Sequence, residues 1–216
     1  MSHKALKVVV LISGGGSNLQ ALIQDSHAPD APYEIVGVLS NRQQAGGLQH
    51  AQRASIAQQV INHQDFNDRE QFDQAMIAAI DGWQPDLVVL AGFMRILTDD
   101  FVTHYLGRMI NIHPSLLPKF AGLDTHQRAI DAGESHHGAS VHYVIPELDA
   151  GPIILQASVE VKANDQASDL AARVLTMEHK IYPLSVRWIA ENKISFKENC
   201  AYLDGERLPA HGYQIG

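Results

Sequence analysis

The chain predicts an α/β protein: a mostly parallel sheet with helices on both faces. Three observations lead there. Apolar, β-branched runs such as Leu6 to Ile12 read as buried parallel strands. Amphipathic helical stretches alternate with them, the pattern of repeated strand-helix units. The run ending at Met109-Ile110 then passes into Asn111-Ile112-His113-Pro114, polar residues at a strand's carboxyl end, where open α/β sheets place their sites.

The elements follow in order. Leu6 to Ile12 is stopped by Ser13-Gly14-Gly15-Gly16, and Ser17 or Asn18 opens a helix through Leu19, Leu22 and Ile23. Glu34 to Ser40 reads as the second strand, Gly46 to Ala57 as a helix and Val60 to Asn62 as a short strand. From Asp65 to Asp81, Phe66, Phe72, Met76 and Ile80 fall on one helical face. Asp86 to Gly92 is another central strand, and a short helix from Asp99 to Leu106 precedes the strand Met109 to His113. Ser140 to Ile145 and Ile153 to Glu160 are strands around a turn. Ala167 to Glu191 is one long helix with a candidate break at Pro183. Leu116 to Gly138 holds few strand signals and is expected to be a mobile loop over a site. No linker, repeat or low-complexity run interrupts the sequence, so a single domain over residues 1–216 is expected.

A chain of 216 residues can bury a substantial core, and 45% hydrophobic with 19% charged residues is ordinary for a globular enzyme or binding protein. The formal net charge of -8 and pI near 5.8 argue against binding the phosphate backbone of nucleic acid. Cys200, the single cysteine, forms no internal disulfide and fits a reducing compartment. The apolar run Val8 to Ile12 is too short for a signal-peptide core or a membrane span. These numbers predict a cytoplasmic protein with no membrane or nucleic-acid partner.

Strand side chains alternate, so Asn111 and His113 point the same way, and Pro114, lacking a backbone donor, favours ending the strand there. The pair is either satisfied by loop backbone or part of a site. Asp149, in Leu148-Asp149-Ala150-Gly151, is either an ordinary turn former or a carboxylate facing a cleft. Brought together, the three would suit acyl transfer. An aspartate near His113 favours the charged imidazole, and two nitrogen donors can face a developing oxyanion.

The glycine turn brings backbone donors to a helix N-terminus, which suits one monophosphate at Gly16, Ser17 and Asn18; it also suits a plain tight turn. A dinucleotide fingerprint would need glycine where Leu19 stands, and Ser40-Asn41 offers no acidic residue to a ribose. The triphosphatase loop fails because no Gly-Lys-Ser/Thr follows. Among the twelve histidines, His136-His137 and His142 match no zinc spacing and no cysteine cluster supports them. Most of the histidines are expected in loops or on the surface, and no metal is expected.

The motifs Gly14-x-Gly16-Ser17-Asn18, Leu90-Ala91-Gly92-Phe93-Met94-Arg95-Ile96-Leu97, Asn111-x-His113-Pro114-Ser115-Leu116-Leu117-Pro118 and Leu148-Asp149-x-Gly151 together resemble the phosphoribosylglycinamide formyltransferases, folate-dependent enzymes of purine synthesis. The resemblance runs from about Leu6 to Tyr213, in the family's order. It implies a Rossmann-like, mostly parallel seven-stranded sheet, the formyltransferase fold. The nucleotide-binding half would span about residues 1–105, and the folate-binding and catalytic half about 106–216. It implies 10-formyltetrahydrofolate as cosubstrate, the amine of glycinamide ribonucleotide as acceptor, and a monomer or weak homodimer. Position by position, Gly16, Ser17 and Asn18 would hold the ribonucleotide phosphate and Glu178 the ribose hydroxyls. Met94, Arg95, Ile96 and Leu97 would line the folate pocket beside Asn111, with Arg69 as an outer contact to the folate's acidic tail. Asn111, His113 and Asp149 match the catalytic trio.

Ala121 and Asp124 depart from the family's frequent Pro and His, and Pro146 replaces a more usual acidic residue. All three are expected beside the folate cleft. The nearest alternatives are relatives sharing the trio, formyltetrahydrofolate deformylase and methionyl-tRNA formyltransferase. The first usually adds an N-terminal regulatory domain and the second a basic C-terminal domain, so length and acidity favour the small-nucleotide transferase. A non-catalytic phosphometabolite-binding protein would leave the Asn-His-Asp convergence as coincidence.

Overall fold

The computed structural model describes residues 4–215, and the chain divides into two compact units, Met1–Ile110 and Asn111–Gly216. The first unit carries β1 (Leu6–Ile12), α1 (Ser17–Ser26), β2 (Tyr33–Ser40), α2 (Gly47–Arg53), β3 (Gln58–Val60), α3 (Arg69–Gly82), β4 (Leu87–Leu90) and α4 (Asp99–His104). Strand β5 (Met109–His113) begins in it and ends in the second unit, which continues with α5 (Thr125–Asp131), β6 (His136–Tyr143), β7 (Ile153–Glu160) and α6 (Ala167–Ala190). Four short strands follow: β8 (Ile194–Lys197), β9 (Cys200–Leu203), β10 (Glu206–Arg207) and β11 (Tyr213–Ile215).

The main sheet has eight strands in the order β11-β7-β6-β5-β4-β1-β2-β3. Seven of them are the strands the sequence predicts. The eighth, β11, spans three residues and pairs parallel with β7, too short a run to show a period. The sequence predicts no second sheet, yet β8, β9 and β10 form an antiparallel one; its strands are two to four residues long and mostly part-exposed, too short to show a period.

In the first unit, β1 lies between β2 and β4, parallel to both. Its residues Val8 to Ile12 have no solvent exposure, as the unbroken β-branched run requires. The register pairs Leu11 with Leu90 and Ile12 with Ser40, so the segments after these strand ends leave the same edge of the sheet. Helix α3 begins at Arg69, four residues later than the periodicity predicts. Two caps compete there: Asn62 accepts from Gln64 N (3.1 Å) to make a 3-10 turn over His63–Asp65, and Asp68 accepts from Gln71 N (2.8 Å) to start the helix proper. Phe66, left outside the helix, still packs edge-on against Phe72 (centroids 5.7 Å apart).

In the second unit, β6 runs antiparallel to β7, and α6 packs on both. Strand β6 starts at His136, earlier than expected, and is buried from His137 to Tyr143. Burial on both faces erases the alternation that would have marked it. The expected loop 116–138 accordingly contains α5 and the first residues of β6. Helix α6 passes Pro183 without a break, anchored at its start by the Asp169 carboxylate, which accepts from Gln166 N (3.0 Å). Among the described residues no helix is long and apolar enough to cross a membrane.

The β6–β7 pairing requires glycine at 138, where a Cβ would fall 1.9 Å from the Ala157 carbonyl oxygen. Neither backbone can yield without breaking the ladder, so Gly138→Ala should cost about 3 kcal/mol or more. Calorimetry should show Tm lowered by roughly 6–12 °C; an unchanged Tm would contradict this packing.

Candidate active site

The carboxyl end of β5 presents Asn111, half-buried, and His113, buried, with the apolar Ile112 between them. Asp149 comes from the turn between β6 and β7, where it adopts φ 52°, a left-handed conformation that aspartate tolerates better than most residues. His113 Nδ1 lies 3.5 Å from Asp149 Oδ2, and the two side chains are only 8% and 9% exposed. His113 Nε2 stands 3.0 Å from the Phe120 carbonyl. A carbonyl only accepts, so Nε2 carries hydrogen and a second proton on Nδ1 would face the aspartate.

A further histidine completes the arrangement. His142 Nδ1 is 2.9 Å from the Tyr143 carbonyl, so Nδ1 is the donor. Its Nε2 therefore accepts from the Asn111 amide, Nδ2 to Nε2 at 3.1 Å. Burial, opposed by the Tyr143 carbonyl and the Asp149 charge, still holds His142 well below its ordinary value. His142 is thus uncharged at neutral pH, and its 3.9 Å approach to Asp149 Oδ1 is not an ion pair.

Residues 120–124 serve this cluster through backbone. Phe120 gives its carbonyl to His113, and Gly122 N donates to Asp149 Oδ2 (3.0 Å). Arg128 on α5 fastens the segment by donating to the Ala121 and Leu123 carbonyls (2.7 and 3.2 Å), with its guanidinium over the Phe120 ring. Ala121, Asp124 and Pro146, the departures from the family pattern, are all exposed. Beneath Phe120 sit His137 and His126, their rings 5.2 Å apart. Burial pushes His137 down to about 4 and lowers His126 as well. Glu178 is buried on α6, and its charge adds to burial in raising the Tyr182 hydroxyl.

In the first unit, the glycine turn closes on Gly16 at φ 74°, and a Cβ there would come 2.5 Å from Gly47 Cα. Ser17 and Asn18 then begin α1 without a side-chain cap. Ser13, just before the turn, donates through Oγ to Asn41 Oδ1 (2.6 Å) and accepts from Met94 N (2.8 Å), while its own N–H donates to the Gly92 carbonyl (3.1 Å). The expected phosphate turn and the expected folate-lining segment are therefore fastened to one hydroxyl. Met94 and Ile96 are 63% and 60% exposed, apolar side chains free to cover a flat ligand. Arg95 lies over the Phe72 ring, and Leu97 is half-buried. Arg69 opens α3; its charge and that of Arg95 act on buried Asp73, which desolvation raises and which accepts from Thr98 N (2.7 Å).

The sequence model of the formyl transferase family matches residues 6–186. The phosphoribosylglycinamide formyltransferase of Escherichia coli is 51% identical over 208 residues, 96% of this chain and 98% of the relative. The chain belongs to the phosphoribosylglycinamide formyltransferase family. The formyltransferase of the same name from Haemophilus influenzae is 45% identical over 96% of this chain and 98% of its own length. In structure, the Coxiella burnetii phosphoribosylglycinamide formyltransferase superposes with TM-score 0.95 and 48% identity, covering 99% of this chain and 100% of that one. As a formyltransferase, the chain keeps Asn111, His113 and Asp149 together in the second unit. Sequence reasoning missed His142, Ser13, Asn41 and the backbone of Phe120 and Gly122. Only His142 carried a signal, since it shares the strand face of Ser140, two residues away.

The low value of His137 links stability to pH. Its folded value is about 4 against 6.5 ordinarily, so below pH 6.5 the unfolded chain takes up a proton that the folded chain refuses. Stability then falls as pH drops from 6.5 to about 4. Calorimetry at about pH 7.5 and about pH 5 should show a smaller drop in Tm for His137→Leu than for the wild type. Equal drops would contradict the assignment.

Proposed function

We infer that the chain transfers the formyl group of 10-formyltetrahydrofolate to the amine of glycinamide ribonucleotide, giving formylglycinamide ribonucleotide and tetrahydrofolate in purine synthesis. The observation that carries this reading is the convergence of a half-buried amide and a buried imidazole from the end of β5 with a buried carboxylate from the β6–β7 turn. Such a set suits attack by a neutral amine on a formyl carbon, which creates a tetrahedral intermediate bearing an oxyanion.

Each group has a role set by its chemistry. Asn111 gives one amide hydrogen to His142 and has a second for the oxyanion. His113 as imidazolium supplies the other donor and pairs with Asp149. Its Nε2–H is held by the Phe120 carbonyl, so residues 120–124 must hand it over when the formyl oxygen arrives. Asp149 also organises the water that relays the amine proton to the departing folate nitrogen, as the C–N bond to the acceptor forms and the bond to that nitrogen breaks.

For the acceptor, Gly16, Ser17 and Asn18 hold the phosphate and Glu178 the ribose hydroxyls. For the donor, Met94 to Leu97 cover the folate and Arg69 meets its acidic tail. The single cysteine and the acidic composition make the cytoplasm the proposed place of action and small molecules the partners. No metal has a role in this reaction.

Purified protein with both substrates should release tetrahydrofolate only when the ribonucleotide is present, with formylated product formed. Release without the ribonucleotide would favour a deformylase. Asn111→Ala should lower turnover about 100-fold or more, the usual cost of one oxyanion donor. A loss below about tenfold, with chemistry shown to limit the rate, would remove Asn111 from this role.

A further inference from the structure

The roles above leave His142 without a task, although it touches two of the three reacting side chains. It is the next-to-last residue of β6 and 2% exposed. The β6–β7 register shifts between Val141 and His142, where β7 carries one extra residue, Ile154, and β6 keeps its alternation. Opposite this shift, Gly151 leaves room for the Tyr143 carbonyl: a Cβ on Gly151 would fall 1.8 Å from that oxygen. The carbonyl so accommodated is the one that takes the Nδ1 hydrogen of His142 (2.9 Å).

That bond decides what His142 offers on its other side. With hydrogen on Nδ1, an uncharged ring has a bare lone pair at Nε2. The amide nitrogen of Asn111, a donor only, stands 3.1 Å away. Were the Asn111 amide turned over, its oxygen would face that lone pair, two acceptors in contact in a buried place. The reacting formyl oxygen would then meet a carbonyl instead of an N–H.

We propose that His142, as a lone-pair acceptor, is the positioning residue that fixes the sense of the Asn111 amide, so that Asn111 presents a donor to the formyl oxygen. The proposal rests on the catalytic reading of Asn111 given above. The groups facing the His142 ring are Asn111, the Asp149 carboxylate, the His113 imidazole and the Tyr143 carbonyl. A proton on Nε2 would oppose the Asn111 N–H and draw Asp149 Oδ1, at 3.9 Å, into a pair that competes with His113. Burial keeps that proton away.

Four readouts test this. His142→Leu should lower kcat about 30-fold while both KM values stay within about threefold, because the donor is lost mainly in the transition state. In His142→Gln the side-chain oxygen can accept in place of Nε2, and about tenfold of the loss should return. In Asn111→Ala, adding His142→Leu should cost less than about threefold more, since the histidine acts through the amide. Nitrogen NMR of the wild-type imidazoles at neutral pH should find His142 protonated at Nδ1 alone, a readout that needs no variant to fold.

A proton on Nε2 in that spectrum would overturn the proposal. So would kcat of His142→Leu within about threefold of wild type, or additive losses in the double variant. Absence of formyl transfer by the wild type would instead overturn the functional reading on which the proposal rests.

Discussion

The contact on which the site depends is the one between His113 and Asp149, 3.5 Å apart with both side chains nearly sealed from solvent. In water such a pair would be weakly coupled. In a place from which water is excluded, a charged imidazole and a carboxylate would act on each other with little screening. The same seclusion is what gives donors aimed at an oxyanion their catalytic weight. Burial also makes the pair dependent on its surroundings, because a charge left without partners there is costly. The remaining architecture of the second unit reads as provision for those partners.

Backbone supplies much of it. Gly122 N–H donates to Asp149, the Phe120 carbonyl holds His113, and Arg128 pins the segment carrying both. Beneath it lie His126 and His137, kept uncharged by burial, so they add no positive charge beside His113. Strand β6 brings His142 to Asn111, and β6 sits where it does because Gly138 lets it approach β7. In the first unit the economy is similar: the Ser13 hydroxyl ties the end of β1 to Asn41 and to the Met94 backbone. Sites placed at the ends of rigid strands keep their geometry better than sites borne wholly on loops.

Most of the fold was legible in the sequence because its strands are long apolar runs. Leu6 to Ile12, Met109 to His113 and Ile153 to Glu160 have the expected bounds. Elements set by contacts distant in sequence were not. Strand β6 is buried on both faces and so lacks alternation, β11 exists only by pairing with β7, and α3 starts where Asp68 outcompetes the apolar periodicity. The site divides in the same way. Asn111 and His113 announce themselves by breaking an apolar run with period two. Asp149 alone looks like a turn former; acyl-transfer chemistry makes it a candidate partner for them, and the family resemblance matches all three to one catalytic trio. His142 was one histidine among twelve, and the Ser13–Asn41 bond spans 28 positions with no local pattern.

We propose that the charge of Asp149, more than its shape, drives the reaction through His113. Single-turnover formyl transfer by Asp149→Asn tests it most directly, because asparagine keeps an oxygen for Gly122 N–H while removing the charge. The chemical step should slow about 100-fold or more, with both substrates still bound near wild-type affinity. A rate within about tenfold of wild type would contradict it, and the trio would then be a structural cluster beside the true catalytic groups.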